Sequence, residues 1–247
     1  MCAPALCLCI VAVLGASACR GARAEYVLHV ACASNLTNVM PLLARSYSVE
    51  VPNEPELRFS FGATANLTQQ IENGAPFDVF LAADTEHVDQ LRAARLTRTE
   101  FWYAQGRLAV YAPDRVALQG LANPQYRYIA IANPDLAPFG QASREALQRA
   151  GLWTAVQPRI VYTHNISEVV TLVDTGNVEA GLTSLSLIPK GKGTEVDPLL
   201  YRPINQAGGV LAHSELPEAA QAFASFLTSK TAQRILHDAG YGPAALK

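Results

Sequence analysis

Several things are scarce in this chain, and each scarcity excludes something. Beyond residue 24 a single cysteine remains, Cys32, so no internal disulfide can form there. Basic residues never cluster: the 19 Lys and Arg are scattered and the formal net charge is -2. That excludes the electrostatic footprint of a nucleic-acid binder and of a polybasic membrane segment. No apolar run reaches the roughly 20 residues that span a bilayer. No short-period repeat or low-complexity tract is present. What remains is a 247-residue chain, half of it hydrophobic, enough for one large or two medium domains with a substantial core.

The first residues read as an export signal. Leu6 to Ala18 is an apolar, small-residue run of h-region length, and Ala22-Arg23-Ala24 fits the A-x-A cleavage rule. Residues 1–24 are therefore expected to be removed, leaving Glu25 as the first residue of a periplasmic protein. No Lys or Arg precedes the run. A rival reading is lipid attachment at Cys19, after Ala16-Ser17-Ala18, although the usual larger aliphatic residue upstream is missing. The Cys7-x-Cys9 pair reads as signal filler rather than a metal site.

Strand-like and helix-like segments then alternate. Tyr26 to Cys32, Leu57 to Phe61 and Asp78 to Ala82 read as strands, separated by helices over Leu36–Ser46 and Leu67–Asn73 and followed by one over Glu86–Ala94. A second set runs from Gly106 to Ala112 through strands at Tyr128–Ala132, Arg159–Tyr162 and Ala180–Ser184, with helices at Gln141–Ala150 and Ser167–Asp174. Tyr201–Ile204 and Gly209–Ala212 read as returning strands, and Pro217–Thr228 and Thr231–Ala239 as closing helices. The β-α-β-α order predicts α/β architecture: two lobes, each a mostly parallel sheet flanked by helices. The lobes are expected over residues 25–106 plus 206–247 and over 107–205. A ligand cleft is expected between them, at the carboxyl ends of the strands.

Four strand-to-helix turns point toward that cleft. They are Ala33-Ser34-Asn35-Leu36-Thr37, Gly62-Ala63-Thr64-Ala65-Asn66-Leu67, Asn133 to Gly140, and Thr163-His164-Asn165-Ile166-Ser167. None contains Lys or Arg, and only Asp135 is acidic. Ser, Thr and Asn before helices are most often N-caps. Four such turns, two from each lobe, instead suggest an anion site built from hydroxyls and the orphan N–H donors of helix starts. A neutral, donor-rich shell suits a fully deprotonated oxyanion. Asp84 would be the acceptor a protonated phosphate needs, but an Asp after a strand is more often a helix cap. The sequons at Asn35, Asn66 and Asn165 coincide with the turns and read as by-products of their polar chemistry. An enzyme on the same architecture would have His29 and Cys32 as base and nucleophile. On one strand, however, these two positions face opposite sides, and no third orienting group is evident. His164 is better placed, but a lone loop His usually faces solvent.

At these residues the chain resembles the molybdate-binding proteins, extracytoplasmic receptors of molybdate ABC importers and members of the type II periplasmic binding proteins. The resemblance runs through VACASNLTNVMPLLA, SFGATANLTQQIENGAPFDVFLAADTEHVDQL, IAIANPDLAPFGQASREALQRAGLW and NISEVVTLVDTGNVEAGLTSLS. It implies a two-lobed, non-catalytic binding protein, expected to be a monomer, that carries molybdate or tungstate to a permease. It implies no cofactor, no nucleic acid and no direct cation ligand, because molybdenum would be held only as its oxyanion. By position, the resemblance assigns oxyanion binding to Ser34, with Asn35 beside it, and to Thr64. It adds backbone donors at Phe139 and Ile166. Ala65 and Ser184 are possible additions. Some members supply a Tyr hydroxyl where this chain has Phe139 or Ser184, so Ser184 or Asn35 would have to compensate. Sulfate, phosphate or another small anion is the alternative cargo.

Overall fold

The computed structural model describes residues 26–52 and 54–244. The expected leader, with Cys2, Cys7, Cys9 and Cys19, lies outside them. The first sheet has the strand order β2-β1-β3-β10-β4. It consists of β1 (Val27–Ala33), β2 (Glu56–Gly62), β3 (Val79–Leu81), β4 (Thr97–Gly106) and β10 (Ile204–Leu211). Strands β1, β2 and β3 run parallel, as βαβ crossovers require. Strand β10 returns late in the chain and inserts antiparallel between β3 and β4. Helices α1 (Met40–Glu50), α2 (Thr64–Glu72), α3 (Glu86–Ala93), α7 (Pro217–Leu227) and α8 (Lys230–Asp238) accompany this sheet.

The second sheet has the order β7-β6-β8-β5-β9, from β5 (Leu108–Tyr111), β6 (Ile129–Ala132), β7 (Ile160–Thr163), β8 (Ala180–Ser184) and β9 (Gly193–Glu195). Helices α4 (Pro138–Arg149), α5 (Trp153–Val156) and α6 (Ile166–Asp174) accompany it. The fold is two-lobed α/β. Between the sheets the chain crosses at Arg107 and returns before Ile204.

Most elements fall within a few residues of the periodicity-based expectation. Five differ for physical reasons. Strand β4, an outer strand of the sheet, begins with the solvated polar run Thr97 to Glu100, so only its second half, from Phe101 to Ala104, carries an apolar signal. The two expected returning strands are one continuous β10, whose register shifts at Gln206/Ala207 and Val210/Leu211 break its pattern. Helices α2, α4 and α6 start earlier than their apolar periodicity, at Thr64, Pro138 and Ile166, so their first turns extend to the carboxyl ends of the preceding strands.

The cores follow the sheets. One apolar cluster, with Leu28, Leu43, Tyr47 and Phe223, lies on one side of the first sheet; a second, with Phe80, Leu67 and Leu91, lies on the other. The core of the second lobe contains Ile131, Leu147 and Val169, and it also takes in Ala33 and Ala83 of the first lobe. Apolar packing is therefore continuous across the cleft.

Candidate functional site

Strands β1 and β2 are parallel neighbours in one sheet, and β6 and β7 are parallel neighbours in the other. The four turns are therefore the carboxyl ends of two adjacent strands in each lobe. The lobes meet there. Ala65 of the second turn donates its N–H to Leu136 O of the third at 3.2 Å. Helix α6 packs against the short 3-10 turn at Ser34–Leu36. Ser34 and Ile166 are 3% exposed, and Thr64, Phe139 and Ser184 are 1% exposed, so the cleft is shut over them.

The hydroxyls are not helix caps. The cap positions of the first two turns are Ala33 and Ala63, and neither start has a side-chain cap bond. Thr64 lies one residue inside α2, where its Oγ1 accepts the Ala83 N–H at 3.2 Å and keeps its own proton to donate. The backbone donors are selected in a similar way. In α4, Pro138 has no N–H, and Gly140 and Gln141 donate to Ala137 O, which leaves Phe139 outside those bonds. In α6, Asn165 Oδ1 accepts from Ser167 N at 3.0 Å and Glu168 N at 3.2 Å, which leaves Ile166 N–H outside the cap. Thr183 Oγ1 anchors that start by donating to Ile166 O at 3.1 Å.

Tight backbone packing sets these helix starts. A Cβ on Gly140 would lie 2.3 Å from Ala132 O, so only glycine lets the start of α4 sit this close to β6. A Cβ on Gly106 would lie 2.6 Å from the Phe139 ring tip. The ring of Phe139 thus packs on the crossing, where a phenol oxygen would crowd it.

Asn35 is fully buried at the centre of a polar network that links distant segments. Its Nδ2 donates to Gln206 Oε1 at 3.1 Å and to the Tyr241 hydroxyl at 3.2 Å. Its carbonyl accepts from the hydroxyls of Tyr241 at 2.7 Å and Ser186 at 3.0 Å. Ser184 Oγ lies 2.8 Å from Ser186 Oγ, so Ser184 reaches Asn35 through Ser186. Burial pushes the phenols of Tyr103 and Tyr241 up, which keeps both protonated. Sequence reading missed Tyr103, Ser186, Gln206 and Tyr241. The one available signal was Gln206, a polar residue that leads into the apolar end of its strand.

The other candidates have ordinary roles. Asp84 Oδ1 accepts the His87 N–H at 3.1 Å, and Oδ2 meets His87 Nδ1 at 2.7 Å, so Asp84 is committed to the first turn of α3, one residue before its cap position Thr85. Cys32 is fully buried and its thiol is pushed up by that burial, which suppresses the nucleophilic thiolate. His29 is tied through its N–H to Asp78 Oδ2 at 2.8 Å. His164 is exposed. Among the described residues no group of three His, Cys, Asp or Glu side chains could hold a metal ion, and no helix is long and apolar enough to cross a membrane.

Comparison with known proteins agrees with this architecture. The family model for bacterial extracellular solute-binding proteins matches residues 28–242. A molybdate-binding protein ModA of Azotobacter vinelandii is 34% identical over 94% of this chain and 96% of its own length. One from Rhodobacter capsulatus is 32% identical over 74% and 76%. The solved periplasmic molybdate-binding protein of Azotobacter vinelandii superposes with a TM-score of 0.82 at 28% identity, covering 89% of this chain and 99% of that one. With its two α/β lobes closed over four helix starts, the chain belongs to the bacterial extracellular solute-binding proteins.

Proposed function

We propose that this protein captures molybdate, and tungstate with it, in the periplasm and delivers it as a monomer to the permease of an ABC importer. It is a binding protein without catalysis. Its binding shell comprises the Ser34 and Thr64 hydroxyls, the Asn35 amide, and the N–H groups of Phe139 and Ile166. Ser184 and Ala65 support the shell rather than form it, since Ala65 N–H is engaged by Leu136 O. The lobes act as the two jaws, with the boundary expected between residues 205 and 206 moved to just before Ile204, where β10 begins.

The observation that carries this reading is the uncapped donor set: hydroxyls and first-turn N–H groups from both lobes, buried together, in turns without Lys or Arg. A tetrahedral dianion satisfies such donors and is favoured by the positive ends of the helix dipoles. The same neutral donors offer no carboxylate for a protonated phosphate. Between sulfate and molybdate, selection rests on size, because molybdate has longer bonds to oxygen. Calorimetry of the protein with molybdate, tungstate, sulfate and phosphate tests the reading. Molybdate and tungstate should bind far more tightly than the other two. Equal affinity for sulfate would remove the size selection, and binding of none of the four would remove the anion site.

A further inference from the structure

The polar network around Asn35 holds fewer protons than contacts, and its bearing on the ligand rests on the oxyanion reading. The Tyr103 hydroxyl lies 2.8 Å from Ala82 O and 2.9 Å from Gln206 Oε1, yet it owns one proton. One of those two contacts therefore lacks a hydrogen. In the same arrangement Asn35 Oδ1 and Gln206 Nε2 are buried without any partner. A half-turn of both amides preserves their shape and exchanges oxygen with nitrogen. Gln206 Nε2 then donates one proton to Tyr103 and the other to Asn35 Oδ1, and Tyr103 donates to Ala82 O. The contact given up is the long one between Asn35 and Tyr241 at 3.2 Å, while Tyr241 keeps its bond to Asn35 O at 2.7 Å.

Within the protein the two arrangements satisfy the same number of contacts. They differ in what Asn35 presents on its unpartnered limb: an oxygen in the first, an NH2 in the second. A buried, unpaired NH2 costs free energy alone, but an oxyanion accepts from it and is repelled by the oxygen. We propose that Gln206 and Tyr103 are positioning residues for the oxyanion, holding the Asn35 amide with its NH2 toward the ligand. Tyr103 directs Gln206 to present nitrogen, and Gln206 in turn directs Asn35 to present oxygen inward. Neither residue touches the anion. The other limb of Gln206 rests against Gly106, where a Cβ would come within 2.8 Å of it, so its amide is held at the crossing between the lobes.

A double-mutant cycle tests this by calorimetry with molybdate, using wild type, Asn35→Ala, Gln206→Met and the double variant. Gln206→Met keeps length and apolar bulk but cannot orient an amide. Each single change should weaken binding on the order of tenfold, as expected for a lost or misdirected bond to a charged group. The double variant should bind no worse than Asn35→Ala alone, because without Asn35 there is nothing to orient. A merely structural Gln206 would lower the melting temperature and give losses that multiply. Wild-type affinity in Gln206→Met, or multiplied losses in the double variant, would overturn the proposal while leaving the anion site intact. If Gln206→Met fails to fold, Tyr103→Phe in both Asn35 backgrounds reads the same coupling. Wild type that binds none of the four oxyanions would overturn the functional reading and this proposal together.

Discussion

Ser34 and Thr64 look alike in sequence, but the structure gives them different second roles. Thr64 Oγ1 supports the buried Ala83 N–H; no such bond involves the Ser34 hydroxyl. Ser34→Ala should therefore weaken molybdate binding by about one to two decades, the worth of a bond to a charged group, with an unchanged melting temperature. Thr64→Ala should lose a similar affinity and, in addition, about 1–3 kcal/mol of stability from the orphaned N–H. Thr64→Ser should restore both. Titration and thermal melts of the three variants check this; full affinity in Ser34→Ala would remove its hydroxyl from the shell. The ion pair at α3 gives a separate pH prediction. The hydrogen bond to Asp84 raises the His87 pKa above its usual 6.5, outweighing burial, which lowers it. A pKa raised on folding means stability that is present below about 6.5 and lost as pH rises through the raised value. Urea midpoints of wild type should fall relative to His87→Gln across that window. Parallel curves would show that the pair contributes nothing. These roles were half legible in sequence: residue types and turns were visible, but the Ala83 contact joins positions 19 residues apart and leaves no local pattern.

At the scale of elements, legibility followed burial. Strand β8 has the expected limits, and Ala180 to Ser184 is wholly buried. Strand β4 escaped notice because its first half is charged and solvated. The early starts of α2, α4 and α6 escaped notice because a first turn needs N–H groups and close packing, not apolar periodicity. Gly140 illustrates this. Its missing Cβ lets α4 approach Ala132 O, and no flexible side chain stands there to yield. Gly140→Ala must move the helix start and, with it, the Phe139 N–H. The expected cost is about 1–3 kcal/mol of stability from overpacking, with weaker molybdate binding in the same variant. Denaturant melts and titration measure the two effects. A stable variant with full affinity would mean that the helix start shifts freely and is not a fixed donor. The glycines Gly208 and Gly209 lie inside β10. There Phe101 and Leu81 crowd the first and Thr97 the second. Their smallness serves sheet packing.

Over the molecule as a whole, the described residues join the lobes by chain at Arg107 and just before Ile204, yet the lobes touch directly at several points. Ala65 N–H bonds to Leu136 O at 3.2 Å, Asn38 Nδ2 to Leu187 O at 3.2 Å, and Ser186 Oγ to Asn35 O at 3.0 Å. Ala33 and Ala83 complete the apolar seam. These contacts describe a closed state, but three hydrogen bonds, each worth about 0.5–1.5 kcal/mol net, hold it only modestly. The proposed shell has donors from both lobes, so an anion meets its full set only when the lobes are closed. It therefore binds the closed state better than the open one and must shift the population toward closure. The motion needs give at the crossings, and Gly106 is where Phe139 of one lobe and Gln206 of the other pack on the same residue. Small-angle scattering should record a smaller radius of gyration with molybdate than without it. Sulfate at the same concentration should leave the open value unchanged if size selection holds. An unchanged radius in a sample shown to have bound molybdate would mean that the apolar seam alone keeps the lobes closed. In that case closure could not tell a permease whether the receptor is loaded.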